Sequence, residues 1–362
     1  MMGEKSRLVE PWEDGKDQEY RDRKKRKSVE FKNSPQSKSS TAQDSPEPAR
    51  SEFGVAIFCA LTLEADAVDA LLDGHWNQRK GHPDEKAPND PNSYTTGIIG
   101  LHNVVLVHMP QMGKVSAAFV AAFCLSSFPN IKLALVVGIC GAIPSTSQDT
   151  AGRNIYLGDV IVSDGVVEYD FGTELPEGFT RKATSYGSTT TEIRSLLAKL
   201  KGRRGRKELA EGMEDSLQTL HNTPDLVEKY MDAVNDEVYD STYRHIEDRI
   251  PCERCGCDER FIRRHRIRTA ETAPAVHFGL MASGDTVMRS AEMRDRIASR
   301  DKVIGFEMEG SGVGNTIPCV IIKGACDYAD SHKNKIWQPY AAATAAACAK
   351  AFLQHWRVTS SF

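Results

Sequence analysis

Short, unbroken apolar runs of strand length, with helical stretches between them, constrain this chain most. Val55-Ala56-Ile57-Phe58-Cys59-Ala60 is the first, the run over 133–139 is another, and Cys319-Val320-Ile321-Ile322 comes near the C-terminus. A strand wetted on one face alternates polar and apolar residues, so runs without alternation suit strands covered on both faces. Between them, 63–72 has apolar residues at helical spacing, and 115–125 and 340–356 are alanine-rich helical stretches. Residues 94–99 and 104–109 flank a Gly100-Leu101-His102-Asn103 turn and read as a hairpin. Strands alternating with helices predict an α/β layered fold.

The flanking composition narrows the class. Residues 1–50 hold Ser, Pro, Lys, Arg and Asp with few aliphatics, and read as a disordered tail. Their basic cluster at 21–27 fits nuclear import or an acidic partner, and equally a solvated tail, the reading adopted. Removing residues 1–50 is expected to leave the melting temperature and the activity almost unchanged. Against 46 Lys and Arg stand 50 Asp and Glu, a net charge of −4, which excludes a chain built to coat nucleic acid. No apolar run approaches a membrane span, and the charged N-terminus lacks the apolar core of a secretory signal. The nine cysteines therefore read as reduced thiols in a cytoplasmic protein, with the nucleus as the alternative compartment. Residues 51–362 read as one folded domain. From about 185 to 270, polar, Lys/Arg-rich helical stretches replace the apolar strands, and this segment reads as an insertion on the scaffold.

Acids stand where strands end: Glu64 after the first run, Glu307 and Glu309 in Gly305-Phe306-Glu307-Met308-Glu309-Gly310, and Asp327 after the last run. Ligands of open α/β sheets bind outside the carboxyl ends of strands, where a low-dielectric cleft raises carboxyl pKa values towards neutrality. The same positions also suit helix and turn caps, so both roles stay open. The turns Met112-Gly113-Lys114 and Gly138-Ile139-Cys140-Gly141 match neither a P-loop nor a dinucleotide fingerprint.

Taken in order, these blocks carry a resemblance. The chain from about residue 52 onward resembles the purine and uridine phosphorylase superfamily, which includes methylthioadenosine/S-adenosylhomocysteine nucleosidases. It is most similar to fungal nucleoside phosphorylase-like domains. The residues concerned are Ala60-Leu61-Thr62-Leu63-Glu64-Ala65, Val136-Val137-Gly138-Ile139-Cys140-Gly141-Ala142, Leu157-Gly158-Asp159-Val160-Ile161-Val162-Ser163, Gly279-Leu280-Met281-Ala282-Ser283-Gly284-Asp285 and Phe306-Glu307-Met308-Glu309-Gly310. The longest is Lys323-Gly324-Ala325-Cys326-Asp327-Tyr328-Ala329-Asp330-Ser331-His332-Lys333. The resemblance implies a three-layer αβα fold around a twisted, mostly parallel central sheet. It implies cleavage of the N-glycosidic bond of purine nucleosides or nucleotides, with water or phosphate as acceptor, without a cofactor, in a homo-oligomer. It places Asp327 at the acid that protonates or hydrogen-bonds purine N7, and Glu309 with Met308 at the ribose hydroxyls. Glu64 falls at the base that activates water, and Gly141 in the turn beside base and ribose.

Two departures bear on the acceptor and on the loops. Where phosphorylases of this superfamily grip phosphate with an Arg and, three residues later, a Ser or Thr, this chain has Val136 and Ile139. Aliphatic side chains offer a phosphate dianion neither charge nor a hydrogen bond, so the expectation is hydrolysis, with phosphorolysis as the alternative. Gln111 replaces a glycine frequent in close relatives, and Gly310, Gly312 and Gly314 predict a poor helix after Glu309. A nucleoside-sensing module is the alternative of another class. The chain end just after its final helix, and the three retained acids, favour a free-standing enzyme or a truncated gene over that sensor.

Cys252-Glu253-Arg254-Cys255-Gly256-Cys257, with His245 and His265 nearby, resembles half of a zinc site. Three cysteines and one histidine would suffice, but no second Cys-x-x-Cys pair follows, so the expectation is a reduced-thiol loop without metal. The basic stretch over 263–268 reads as a solvated face, because no aromatics interleave it.

Overall fold

The computed structural model describes residues 48–76, 86–144, 154–182, 189–223, 235–247, 250, 252–267 and 273–357. The tail over 1–47, with its basic cluster at 21–27, lies outside them. The strands are β1 (Val55–Cys59), β2 (Gly74–His75), β3 (Ser93–Ile99), β4 (His102–His108), β5 (Leu133–Ala142), β6 (Val160–Glu168), β7 (Gly172–Leu175), β8 (Gly178–Arg181), β9 (Asn235–Tyr239), β10 (Ile262–Ile267), β11 (Val276–Ser283), β12 (Val303–Glu307) and β13 (Cys319–Asp327). The helices are α1 (Thr62–Asp69), α2 (Lys114–Ser127), α3 (Thr191–Lys201), α4 (Arg203–His221), α5 (Cys252–Cys255), α6 (Ala291–Asp301), α7 (Gly310–Gly314) and α8 (Gln338–His355).

Nine strands form one sheet in the order β12-β11-β6-β13-β5-β1-β4-β3-β2. β4, β1, β5 and β13 run parallel to one another, as do β6, β11 and β12. β6 meets β13 antiparallel, and β3 forms the hairpin with β4. β12 also pairs with β5, antiparallel, at Gly305↔Ala142 and Phe306↔Gly141. That pairing curls β5, β13, β6, β11 and β12 into a ring and brings Glu307 beside the turn at Gly141.

The unbroken apolar runs are explained by burial on both faces. Val55, Ile57 and Cys59 of β1 enter one core, and Ala56 and Phe58 enter the other. β13 divides likewise, Val320 and Ile322 against Cys319 and Ile321. α1, α3, α4 and α8 cover the first face, and α2 covers the second. Full burial of one Val, Leu, Ile or Phe stabilises by about 1.5–3 kcal/mol, so both faces favour apolar residues and no alternation survives.

The segment expected as an insertion divides. α3 and α4 bury Ile193, Leu196, Leu197, Leu200, Leu209, Met213, Leu217 and Leu220 in the same core as α8, so they belong to one helical layer. Their solvent faces produce the polar composition. Among the described residues of this segment, the β9–β10 ribbon pairs apart from the nine-stranded sheet. The glycine-rich α7 forms despite its propensity, for it is a single buried turn packed against α2 and β13. No helix among the described residues is long and apolar enough to cross a membrane.

Candidate active site

A cleft of about 340 Å3 opens at the carboxyl ends of β1, β5, β12 and β13, and Glu64, Gly141, Met308, Glu309 and Asp327 all line it. The five residues singled out by sequence thus share one site, although they come from four separate strand ends.

Glu64 caps its helix and also lines the cleft. It sits in the first turn of α1, where its Oε2 accepts the amide N–H groups of Ala60 and Leu61, each at 3.0 Å. Its Oε1 accepts the N–H of Ile139 at 2.8 Å. The carboxyl caps the helix while lining the cleft, and is 2% exposed. Burial pushes its pKa up; Lys323 opposes this, Glu309 adds to it, and the two backbone groups temper it. Gly138 makes room for it, since a Cβ there would lie 2.0 Å from Oε1. Gly138→Ala must therefore displace the carboxyl or the strand. It is expected to lower stability by about 1–3 kcal/mol, as overpacking does; thermal melting checks this.

Glu309 pairs with Lys323 Nζ at 3.0 Å, and both are buried. Burial works against the Lys323 ammonium, but Glu309, Glu64 and Glu307 outweigh it and raise its pKa. Glu307 turns its Oε2 to the N–H groups of Glu309 and Gly310, at 2.9 and 2.8 Å, which fixes the bend carrying Met308 and Glu309. Burial raises the Glu307 pKa, Glu309 adds to this, and Lys323 lowers it. A carboxyl with a raised folded pKa takes up a proton on folding. Its contribution to stability is full below the ordinary value of 4.5 and is lost as pH rises through the raised one. Glu307→Gln removes that titration and is expected to flatten the fall of melting temperature from acid to neutral pH, measured by calorimetry across a pH series.

Asp327 ends β13. Its Oδ1 accepts the N–H of Ala329 at 2.8 Å, and its Oδ2 faces Lys333 Nζ at 3.0 Å and the Cys326 thiol at 3.3 Å. Ala329 adopts a left-handed backbone, φ 52°, which turns its amide back onto the carboxylate. Gly141 is paired with Asp327 across the sheet, and a Cβ there would lie 2.9 Å from Oδ1. Only a glycine leaves that corner of the cleft open.

Sequence reasoning missed two members of this site. Lys323 is legible as a lysine in the middle of an apolar strand, since a buried ammonium demands a carboxylate partner. Lys333 lies in the longest motif without a local signal of a role. Val136 is buried in the second core, and Ile139 lines the cleft with its N–H held by Glu64. Lys323 and Lys333 are paired with carboxylates, and nearby Lys114 is held by Asp170 at 2.6 Å and Glu168 at 3.3 Å. Away from these groups, His245, Cys255 and Cys257 converge within 4.8 Å of one another.

Residues 55–354 match the family model of the phosphorylase superfamily. A nucleotide-binding leucine-rich repeat (NLR)-like protein of Hyaloscypha variabilis is 34% identical over 325 residues, covering 87% of this chain and 31% of that protein. The chain spans about a third of the length of the curated relatives it matches. Among solved structures, the 5'-methylthioadenosine/S-adenosylhomocysteine nucleosidase of Neisseria meningitidis, in complex with methylthio-immucillin-A, superposes with TM-score 0.50 at 16% identity, over 83% of this chain and 98% of that one. Futalosine hydrolase of Helicobacter pylori superposes with TM-score 0.51 at 17% identity, over 84% of this chain and 99% of that one. Those structures share the fold, a layered α/β arrangement about one central sheet. With a family model matching from the first strand to the last helix, the chain belongs to the phosphorylase superfamily.

Proposed function

We propose that this domain cleaves the N-glycosidic bond of purine nucleosides or nucleotides, with water as the acceptor. The observation that carries the reading is the gathering of Glu64, Glu309 and Asp327 in one cleft while its buried cation, Lys323, is held by Glu309. Asp327 relays a proton from solvent to purine N7, relieving negative charge on the departing base, and Lys333 stabilises its carboxylate before and after the transfer. Glu309 accepts hydrogen bonds from the ribose hydroxyls and stabilises the positive charge that develops on the sugar. Lys323 orients Glu309 through their ion pair. Glu64 takes the proton of the attacking water, and its raised pKa strengthens it as a base relative to an exposed carboxylate. Activity is expected to fall as pH drops through that raised value, because the protonated carboxyl is no base.

Methylthio-immucillin-A in the Neisseria nucleosidase, a nucleosidase of the same fold, supports a nucleoside-sized ligand. The test is base release over a panel of nucleosides and nucleotides, with and without phosphate. Full-rate release in phosphate-free buffer, with ribose as product, is expected. Strict phosphate dependence with ribose 1-phosphate as product would reverse the choice of acceptor. A second reading, nucleoside sensing, draws on the NLR-like relative, in which the matching segment is 31% of the protein. Binding of nucleoside without any base release would favour it.

A further inference from the structure

We propose that His245, Cys252, Cys255 and Cys257 form a structural zinc site that fastens the β9–β10 ribbon to the loop bearing Asp327. The expectation from sequence was a reduced-thiol loop, and the spatial arrangement argues otherwise. Three sulfurs surround one ring nitrogen: His245 Nδ1 lies 3.1 Å from Cys257 Sγ, 3.6 Å from Cys252 Sγ and 3.7 Å from Cys255 Sγ. Cys255 and Cys257 sulfurs are 3.2 Å apart. A tetrahedral zinc with bonds of about 2.3 Å to sulfur and 2.0–2.1 Å to nitrogen sets S···N edges of about 3.6 Å and S···S edges of about 3.8 Å. The ligand atoms of His245, Cys255 and Cys257 lie within 4.8 Å of one another, and Cys252 Sγ stands 3.6 Å from the same ring nitrogen, within reach of a fourth position.

The histidine is prepared for such a role. Its Nε2 donates to the carbonyl of Ile250 at 2.7 Å. A carbonyl only accepts, so the proton sits on Nε2 and the bare lone pair of Nδ1 faces the sulfurs. This is the outer hydrogen bond that metal-bound histidines make. A soft set of three thiolates and one imidazole selects zinc over the hard cations. The missing second Cys-x-x-Cys pair is supplied by Cys257 and by His245 from the preceding turn. A Cys255–Cys257 disulfide is the competing state, but one intervening residue strains such a bridge.

The site reaches the catalytic loop through short contacts. The His245 N–H donates to Ser331 Oγ at 2.9 Å, four positions past Asp327. The His245 ring meets the His332 ring edge-on at 5.4 Å, and Tyr239 of β9 stacks on His332 at 3.9 Å. His332 precedes Lys333, the partner of Asp327. Zinc at this point would hold the segment that orients the acid.

The test starts with the unmodified full chain, expressed with added zinc, passed through metal-free buffer and assayed by elemental analysis. About one zinc per chain is expected. Thiol modification with an organomercurial should release it, and removal of the metal should lower the melting temperature. Replacement by Co2+ should give the intense visible bands of a tetrahedral thiolate site, a readout that needs no variant. Cys255→Ser with Cys257→Ser should reduce bound metal at least about tenfold, while Cys348→Ala, in the core far from the site, should retain it. Less than a tenth of an equivalent in the unmodified chain, a Cys255–Cys257 disulfide by mass spectrometry, or undiminished zinc in the double variant overturns the proposal.

Discussion

Asp327→Asn is expected to lower turnover by about 10²- to 10⁴-fold, the usual loss when a positioned general acid is removed. An amide has no ionisable proton to pass to N7. The substitution is sterically small: the side-chain oxygen still accepts the Ala329 N–H that now binds Oδ1 at 2.8 Å. The new NH2 faces Lys333 in place of Oδ2, so one ion pair is lost. Single-turnover base release separates chemistry from binding, and circular dichroism checks the fold. Near-normal turnover in a folded variant would remove Asp327 from the mechanism. If Asp327 only shaped the pocket, the loss would appear in KM and leave kcat unchanged.

Glu64→Gln is the second large effect, a loss of most base release at every pH where the fold persists. An amide does not take a proton from water at any accessible pH. The variant is also destabilised, because a carboxylate accepts N–H groups through both oxygens and a glutamine offers one. The backbone donors facing the new NH2 go unpaired, at about 1–3 kcal/mol for a buried group. Equilibrium binding of a nucleoside analogue therefore accompanies the rate measurement. Binding retained with release abolished identifies Glu64 as the base. Phosphate-dependent release surviving in the variant would point instead to an anionic nucleophile that needs no base.

Much of the site was legible because its chemistry is local. Glu64, Gly141, Met308, Glu309 and Asp327 each sit at a strand end within a short motif, and a residue just past a buried strand must emerge at the sheet's carboxyl edge. The role of Glu64 as a cap was legible for the same reason, since its amide partners Ala60 and Leu61 are neighbours in the chain. The pairing of Lys323 with Glu309 was not: the two lie on different strands, β13 and the end of β12, and their meeting depends on how the sheet curls. The packing of helices α3 and α4 on the core was not legible for another reason. Composition averages over a helix, and a charged outer face hides the apolar stripe of Leu196, Leu200, Leu209 and Leu217 that packs inward.

By itself the sequence determined the alternation of strands and helices and the double-sided burial of β1, β5 and β13, because burial on both faces forces apolar residues into consecutive positions. It also determined which acids stand at strand ends. Tertiary structure alone decided that those ends share one cleft, through the antiparallel contact of β12 with β5 at Gly141 and Ala142. It alone decided that one ammonium, Lys323, serves a cluster of carboxylates, and that the ring of His245 turns its Nδ1 to three sulfurs. Such contacts depend on sheet closure and on one backbone carbonyl, at Ile250. Both are set by packing between distant segments, and no local propensity encodes them.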